Sequence, residues 1–388
     1  MAVTQAVANN RGIQFEKDVT REMVRGNMLK PYMGAGANSV IRVWPLRGRT
    51  GGDQVNIPLI TALKAAGVGN GLLSGQEEAV QNSGSRFWID WARNAVKESV
   101  AELKKMSFDI YDYAGPLLGE WAATLQRDEM VKALASIPIE AAPIGYSGKE
   151  GRRVNGRMFS EASAAELNTW MTSNADRILW GAANTGTNGN RVAGSFAGSL
   201  ANIDAVNDRW STSMIDKMKA MAKKPMPGSP KISSLVMEDG YEGYVLFLGT
   251  NGFMDIKNDP KITAMNKDAR PREGRWKDNP LFNDGDLLYD KIIIREVPEI
   301  DTLTGFAGAG ASGIGVSPGY LCGKMALCMV MAQEPKETHL EDTDYQHYDG
   351  RGITMAYGVG KTWFKLPDQV TLKDWGVVTG FGASVDPA

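Results

Sequence analysis

The sequence predicts an α+β protein, and three features carry that prediction. Between Leu46 and Trp91 two alternating runs bracket a glycine-rich stretch. Val55, Ile57 and Leu59 alternate with Gln54, Asn56 and Pro58, and Phe87, Ile89 and Trp91 alternate with Trp88, Asp90 and Ala92. Alternation with period two marks a ribbon with one apolar face. Next, Ile110, Ala114, Leu117, Leu118, Trp121 and Leu125 recur at spacings that share one face of a helix. From Ile232 the texture changes, and ISSLVM, YVLFL, KIIIREV and MALCMVM read as strands parted by polar, Pro- and Gly-rich connections.

The elements follow in order. Residues 1–12 read as a loose terminal arm. Phe15, Val19 and Met23, four residues apart, predict a short amphipathic helix. SVIRVWPL, from Ser39 to Leu46, reads as a strand leading into the ribbon. The ribbon's tip carries Gly67, Gly69, Gly71, Gly75 and Gly84 and too few large side chains to build a core. A two-stranded ribbon is marginal alone, so it must rest on its own domain or on a neighbouring subunit. The helix, capped at Ser107 and running to Leu134, would be roughly 42 Å long at about 1.5 Å per residue. Pro116 should kink it or mark a second start. Residues 145–160 read as loop and short strand. A second helix is expected from Ser163 to about Trp180, and a third from about Ser213 to Lys224, stopped by Pro225, Pro227 and Pro230. The stretch 232–332 reads as a separate α+β lobe, with ITMAYGVGKTWFKL and GVVTGFG as strands returning to the first lobe.

Composition narrows the function classes. The chain has 388 residues, 43% apolar and 23% charged, enough for two or three domains with sizeable cores, or for one elaborate domain with insertions. Its formal net charge of −2 gives no global pull toward nucleic acid or acidic membranes. No apolar run is long enough to span a bilayer, and MAVTQAVANNRG lacks the basic-then-apolar order of a signal peptide, so a protein made in a reducing cytoplasm is expected. Cys322 and Cys328, the only cysteines, fit neither a disulfide framework nor a zinc spacing. Read as residues of one strand they would lie about 20 Å apart and remain thiols.

Few motifs carry chemistry. Gly308, Gly310 and Gly313 spell the dinucleotide pattern, but Gly315, Pro318 and Gly319 follow where a helix is needed. Gly315 to Gly319 spells a nucleophile elbow around Ser317, but Pro318 has no N–H to give an oxyanion hole. His339, Asp342, Asp344, His347 and Asp349 have metal-ligating groups, and the same composition is that of a solvated acidic loop. Basic residues group at Lys149, Arg152, Arg153 and Arg157, and at Lys267, Arg270, Arg272, Arg275 and Lys277. Each group has acidic neighbours, which favours solvated loops or subunit ion pairs over contacts to DNA. The ten tryptophans are scattered and read as core or interface anchors.

The ordered set GDQVNIPLITALKAAGVGNGLLSGQEEAV, FWIDWARNAV, MSFDIYDYAGPLLGEWAA, MEDGYEGYVLFLGTNGFMDIKNDP, NPLFNDGDLLYDKIIIREV and DYQHYDGRGITMAYGVGKTWF resembles tailed-phage major capsid proteins of a podovirus-type branch, over residues 14–384. The resemblance implies the HK97-type fold. Its parts map to an N-terminal arm (1–45), an extended loop (46–98), a peripheral domain with a long spine helix (99–231), an axial domain (232–332) and C-terminal strands completing the peripheral domain (333–388). It also implies a subunit that assembles with itself into pentamers and hexamers of an icosahedral shell in the host cytoplasm. Scaffold, portal and decoration proteins would be partners, and double-stranded DNA would be enclosed without sequence-specific binding. No cofactor, metal, catalytic residue or membrane is implied. The short N-terminus gives no sign of a built-in scaffolding domain. Lys64, Val68, Leu72 and Leu73 in the loop, and Arg270, Arg272 and Arg275 in the second half, are the intersubunit contact candidates. Some capsids of this fold cross-link loop lysines to a neighbour's asparagine, but no partner for Lys64 is visible in the sequence. The competing readings are another virion component, such as a decoration or tail protein, and a cytoplasmic enzyme using a metal in the His339–Asp349 loop.

Overall fold

The computed structural model describes residues 27–46, 53–60, 63, 65–78, 80, 82–104, 110–184, 189–224, 226, 229–236, 240, 242–269, 282–283, 286–340, 345, 347–365 and 370–385. The helix expected around Phe15, Val19 and Met23 lies outside them, as do Lys64, Arg270, Arg272 and Arg275. Strands β1 (Met33–Gly34) and β2 (Ile41–Pro45) lead into the ribbon of β3 (Gln54–Ile60) and β4 (Asn82–Trp88). The ribbon's register runs from Gln54 opposite Trp88 to Ile60 opposite Asn82. Ile57 and Leu59 are buried while Asn56, Pro58 and Ile60 face out, as the alternation predicts.

The predicted second strand does not continue through Trp91. It breaks at Ile89, and β5 (Asp90–Ser99) joins a different sheet. There Asp90 and Ala92 are buried and Trp91 is 55% exposed, the reverse of the expected faces. Changing sheets shifts the pleat by one residue and turns every later side chain over. The Asp90 carboxylate explains the phase chosen: it accepts the backbone N–H groups of Ser147 at 3.0 Å and Arg152 at 2.7 Å, besides that of Trp91.

Helix α1 (Val100–Leu103) is short. The long helix is α2 (Ile110–Leu134), 25 residues and so about 37 Å. Pro116 lies within it, early enough that one run continues without a second start. Its buried stripe is Ala114, Leu118, Ala122, Met130, Val131 and Leu134. Trp121 and Leu125 are half-buried and Leu117 is exposed, so the predicted face is correct in period but too wide. Strands β6 (Ser136–Ile137), β7 (Val154–Asn155) and β8 (Arg157–Met158) follow. Helix α3 (Ala164–Ser173) begins at Ser163 in a capping box with Glu166. It stops at Asn174 rather than near Trp180, because Ile178–Trp180 is a strand, β9. Helix α4 (Phe196–Ala201) had no prediction, and α5 (Thr212–Lys223) matches the third predicted helix.

The rest of the chain comprises β10 (Leu235–Val236), β11 (Glu242–Leu248), α6 (Thr250–Asn258), α7 (Pro260–Ala269), β12 (Phe282–Asn283), β13 (Asp286–Tyr289), β14 (Ile292–Glu296) and α8 (Glu299–Thr304). Then come β15 (Gly315–Cys322), β16 (Leu327–His339), β17 (Tyr348–Lys361), β18 (Trp363–Lys365), β19 (Leu372–Asp374) and β20 (Val377–Ser384). Two sheets organise these elements. One has the order β1-β2-β16-β17-β5 with β7 also on β17, and α2 packs across it. The other has the order β12-β13-β14-β11-β15-β20-β9 with β10 also on β11.

The expected separate lobe at 232–332 is therefore not closed on itself. Its sheet takes β9 and β20 from outside that stretch, and its last strand, MALCMVM, sits in the other sheet beside β2 and β17. Met325, at φ +53°, marks the corner where the chain leaves β15 for β16. Cys322 and Cys328 accordingly stand on two strands of two sheets, not on one strand. Both are buried free thiols, and burial pushes both pKa values up. Of the C-terminal strands, β17 returns to the first sheet and β20 does not.

Where the chain passes between sheets, charged groups are buried together. Lys373 Nζ lies 2.7 Å from Asp176, and Lys361 Nζ lies 3.1 Å from Asp374. Arg177 donates to the carbonyls of Asp374, Trp375 and Pro230. Each cation is thus met by a carboxylate or by peptide oxygens, the condition for keeping charge out of water.

Candidate assembly surfaces

The ribbon has a fixed base and an exposed tip. Ile57 and Phe87 pack with Cys328 and Val330 of β16 in one buried cluster. Ser85 bonds both ways with the Trp363 backbone, and Ser83 accepts the Lys365 N–H at 2.9 Å. The base therefore rests on its own subunit. Beyond Ile60 the described contacts include several within the tip itself. Glu78 accepts the Ala65 N–H and Glu77 accepts the Gly75 N–H, each at 2.7 Å, and a turn joins Gln76 to Leu73. A methyl group placed on Gly67, Gly69 or Gly75 would meet no atom within 4 Å. Leu72 is 81% exposed, Leu73 62% and Val68 39%, with Leu63 and Val80 exposed beside them. Several exposed large apolar side chains within one short stretch are more than single surface residues usually show.

Three of the first basic group's residues, Arg152, Arg153 and Arg157, pair within the subunit. Arg153 donates to Glu129 from Nε and Nη2, at 2.9 and 2.6 Å, and Tyr357 donates its hydroxyl to the same carboxylate in the buried core. Arg152 pairs with Glu161 at 2.7 Å and Arg157 with Glu166, while Lys149 is exposed. The hydrogen bond from Arg157, then those from Ser163, hold the Glu166 carboxyl down at about 2. The buried triad was not legible in the sequence, since its members lie far apart in the chain.

The remaining motifs resolve into structure. Gly308, Gly310 and Gly313 form a turn entering β15, with no helix after it. Ser317 is buried in β15 and donates a hydrogen bond from its hydroxyl to Asp301, whose other oxygen accepts the N–H of Asn251 at the start of α6. His339 ends β16 and His347 precedes β17, with Ser99 Oγ 3.4 Å from the His347 ring; Asp342 and Asp344 lie outside the described residues. Among the described residues no three His, Cys, Asp or Glu side chains gather as a metal site, and no helix is long and apolar enough to cross a membrane.

A further apolar surface lies on the body. Ile137–Ala142 after α2, one side of α3, and Val370–Leu372 before β19 enclose an open groove of about 530 Å³. Its signal in the sequence is the run IPIEAAPI, which is too apolar for a solvated loop and too broken by proline for a strand.

The comparisons agree with this architecture. The model of the phage capsid protein family matches residues 13–383. The structure is similar to the capsid protein of cyanophage Pam1, with TM-score 0.82 and 26% identity over the whole of both chains. It is also similar to that of Ralstonia phage GP4, with TM-score 0.72 and 17% identity over 99% of this chain and all of the other. The capsid protein of Helicobacter pylori bacteriophage KHP30 shares the fold at TM-score 0.63 and 12% identity, over 97% of this chain and 96% of the other. No curated protein matches the chain. With its fold shared over its whole length with a solved capsid subunit, and the family pattern spanning residues 13–383, the chain belongs to the phage capsid protein family.

Proposed function

We propose that this chain is the major capsid protein of a tailed double-stranded DNA phage, and that it builds an icosahedral shell of pentamers and hexamers in the host cytoplasm. The observation that carries the reading is the ribbon: a base pinned to its own subunit and a tip whose apolar side chains Leu72 and Leu73 stand exposed. In this reading the ribbon is the extended loop, α2 the spine helix, the sheet of β16, β17 and β5 the peripheral domain, and the sheet of β11, β15 and β20 the axial domain. The tip residues Val68, Leu72 and Leu73 strap a neighbouring subunit. Lys64, Arg270, Arg272 and Arg275 stay as contact candidates on sequence grounds. Scaffold, portal and decoration proteins are its partners, and the near-neutral chain leaves packaged DNA free to enter and leave.

The test separates folding from assembly. Ser83 and Gly84 belong to β4 and bond or pair within the subunit, so the replacement is confined to Ala65–Val80, exchanged for a short Gly-containing turn. Closure entropy changes slowly with loop length, so the shortened subunit should keep its helix content and a cooperative melt. Electron micrographs of the wild-type product, co-expressed with the phage's other head proteins, should show closed shells, and those of the shortened chain should not. Shells of wild-type stability from the shortened chain would overturn the strap.

A further inference from the structure

We infer that the groove between Ile137–Ala142, helix α3 and Val370–Leu372 receives the ribbon tip of a second copy of this chain. The inference rests on the capsid reading and names the partner surface that it lacks.

Three observations point to this occupant. The groove is walled by Ile137, Pro138, Ile139, Ala141 and Ala142, floored in part by Trp170, and rimmed by Val370, which is 83% exposed. Ile137, Pro138 and Trp170 are themselves buried, so the apolar surface left in water in a single subunit is that of Ala141, Ala142 and Val370. Second, its rim charges are already paired inside the subunit: Glu140 with Lys365 at 2.6 Å, and Arg157 with Glu166. The occupant must then be apolar and uncharged, because a charged one would lose its water for nothing in return. The tip fits: from Ala65 to Gln76 it has no charged residue, and the acids that follow, Glu77 and Glu78, are turned back on the tip's own N–H groups. Glycines around Leu72 and Leu73 let the backbone approach a groove wall closely. Third, knob and groove are different patches of one chain. Such a pair is a heterologous contact, which passes from copy to copy and closes into a ring when the rotation allows. A subunit of a ring needs this kind of contact, and a self-complementary patch would stop at a dimer.

The experiment is disulfide trapping in assembled shells. The full-length Leu72→Cys/Ala142→Cys chain is co-expressed with the phage's other head proteins and oxidised after assembly. Denaturing gels without reductant should show a ladder of linked subunits that collapses on reduction. Leu72→Cys alone, and Leu72→Cys with Cys at Val206, an exposed position away from the groove, should stay monomeric; the buried native thiols do not interfere. Val370→Asp should lower the denaturant midpoint for shell dissociation while leaving the melt of the isolated subunit unchanged, since that side chain is exposed. Shells that form normally yet give no ladder, or give an equal ladder with the Val206 control, would overturn the groove assignment and leave the capsid reading standing. Absence of shells from the wild-type chain would overturn the capsid reading and the groove with it.

Discussion

At the scale of single residues, buried charge is what the fold depends on most sharply. Glu129 faces Arg153 and Tyr357 in the core, so removing its charge strands a guanidinium out of water. Glu129→Gln should lower subunit stability by about 3–5 kcal/mol, the usual result of breaking a buried pair from one side. Arg152→Ala removes a half-buried surface pair and should cost at most about 1 kcal/mol. Urea unfolding of the two variants checks the contrast. Asp176 supplies a pH signature. Burial works to raise its pKa, but the hydrogen bond and charge of Lys373, with Arg177 and the Met226 N–H, outweigh burial and hold it below the ordinary carboxylate value. The stability it lends is complete above its unfolded pKa of about 3.9 and is lost as pH falls through the lower folded value. Asp176→Asn should therefore lower the melting temperature at neutral pH and flatten the wild type's fall in acid. Calorimetry across both ranges reads this directly, and a variant with the same acid slope would exclude Asp176 from it.

At the scale of elements, the turning point is Ile89, where a run that reads as one strand serves two sheets. The Asn155 side chain holds the strand just before the switch, accepting the Trp88 N–H at 2.7 Å and donating to the Trp88 carbonyl at 2.9 Å. Gly358 of β17 lies directly beneath. A methyl group there would sit 1.9 Å from the Trp88 carbonyl oxygen and 2.9 Å from Asn155 Nδ2. Because the first obstacle is backbone, the strand itself must move, and Gly358→Ala should destabilise by at least about 1–3 kcal/mol. A denaturation midpoint equal to wild type would show that the crossing has slack. The long helix was legible because its period repeats over many turns. Its exact buried face was not, because Leu117 and Leu118 are equally apolar and only the position of the sheet below decides between them.

At the scale of the whole molecule, the two sheets interlock through the chain's last strands. β20 lies between β15 and β9, in register with β15 from Gly315 opposite Ser384 to Cys322 opposite Val377. A fragment of residues 232–332 thus lacks the strand that covers β15, while it carries β16's apolar start with no partner sheet. Expressed alone it should give no cooperative melt, and adding residues 333–385 should not rescue it without β9 and the first sheet. A folded fragment by circular dichroism and a sharp thermal transition would mean that the lobe stands by itself.

The sequence by itself determined the class of each strongly periodic element, the helix start at Ser163, the glycine tip without a core, and the family to which the ordered segments belong. These are local properties: period, capping chemistry and composition act over a few residues. Only the tertiary structure decided that β5 leaves the ribbon, that Cys322 and Cys328 occupy different sheets, that Ile178–Trp180 is a strand, and that Ile137–Ala142 and Val370–Leu372 share a groove. Each of these depends on which distant strand or loop stands alongside, and pairing between segments hundreds of residues apart leaves no trace in the local pattern of either one.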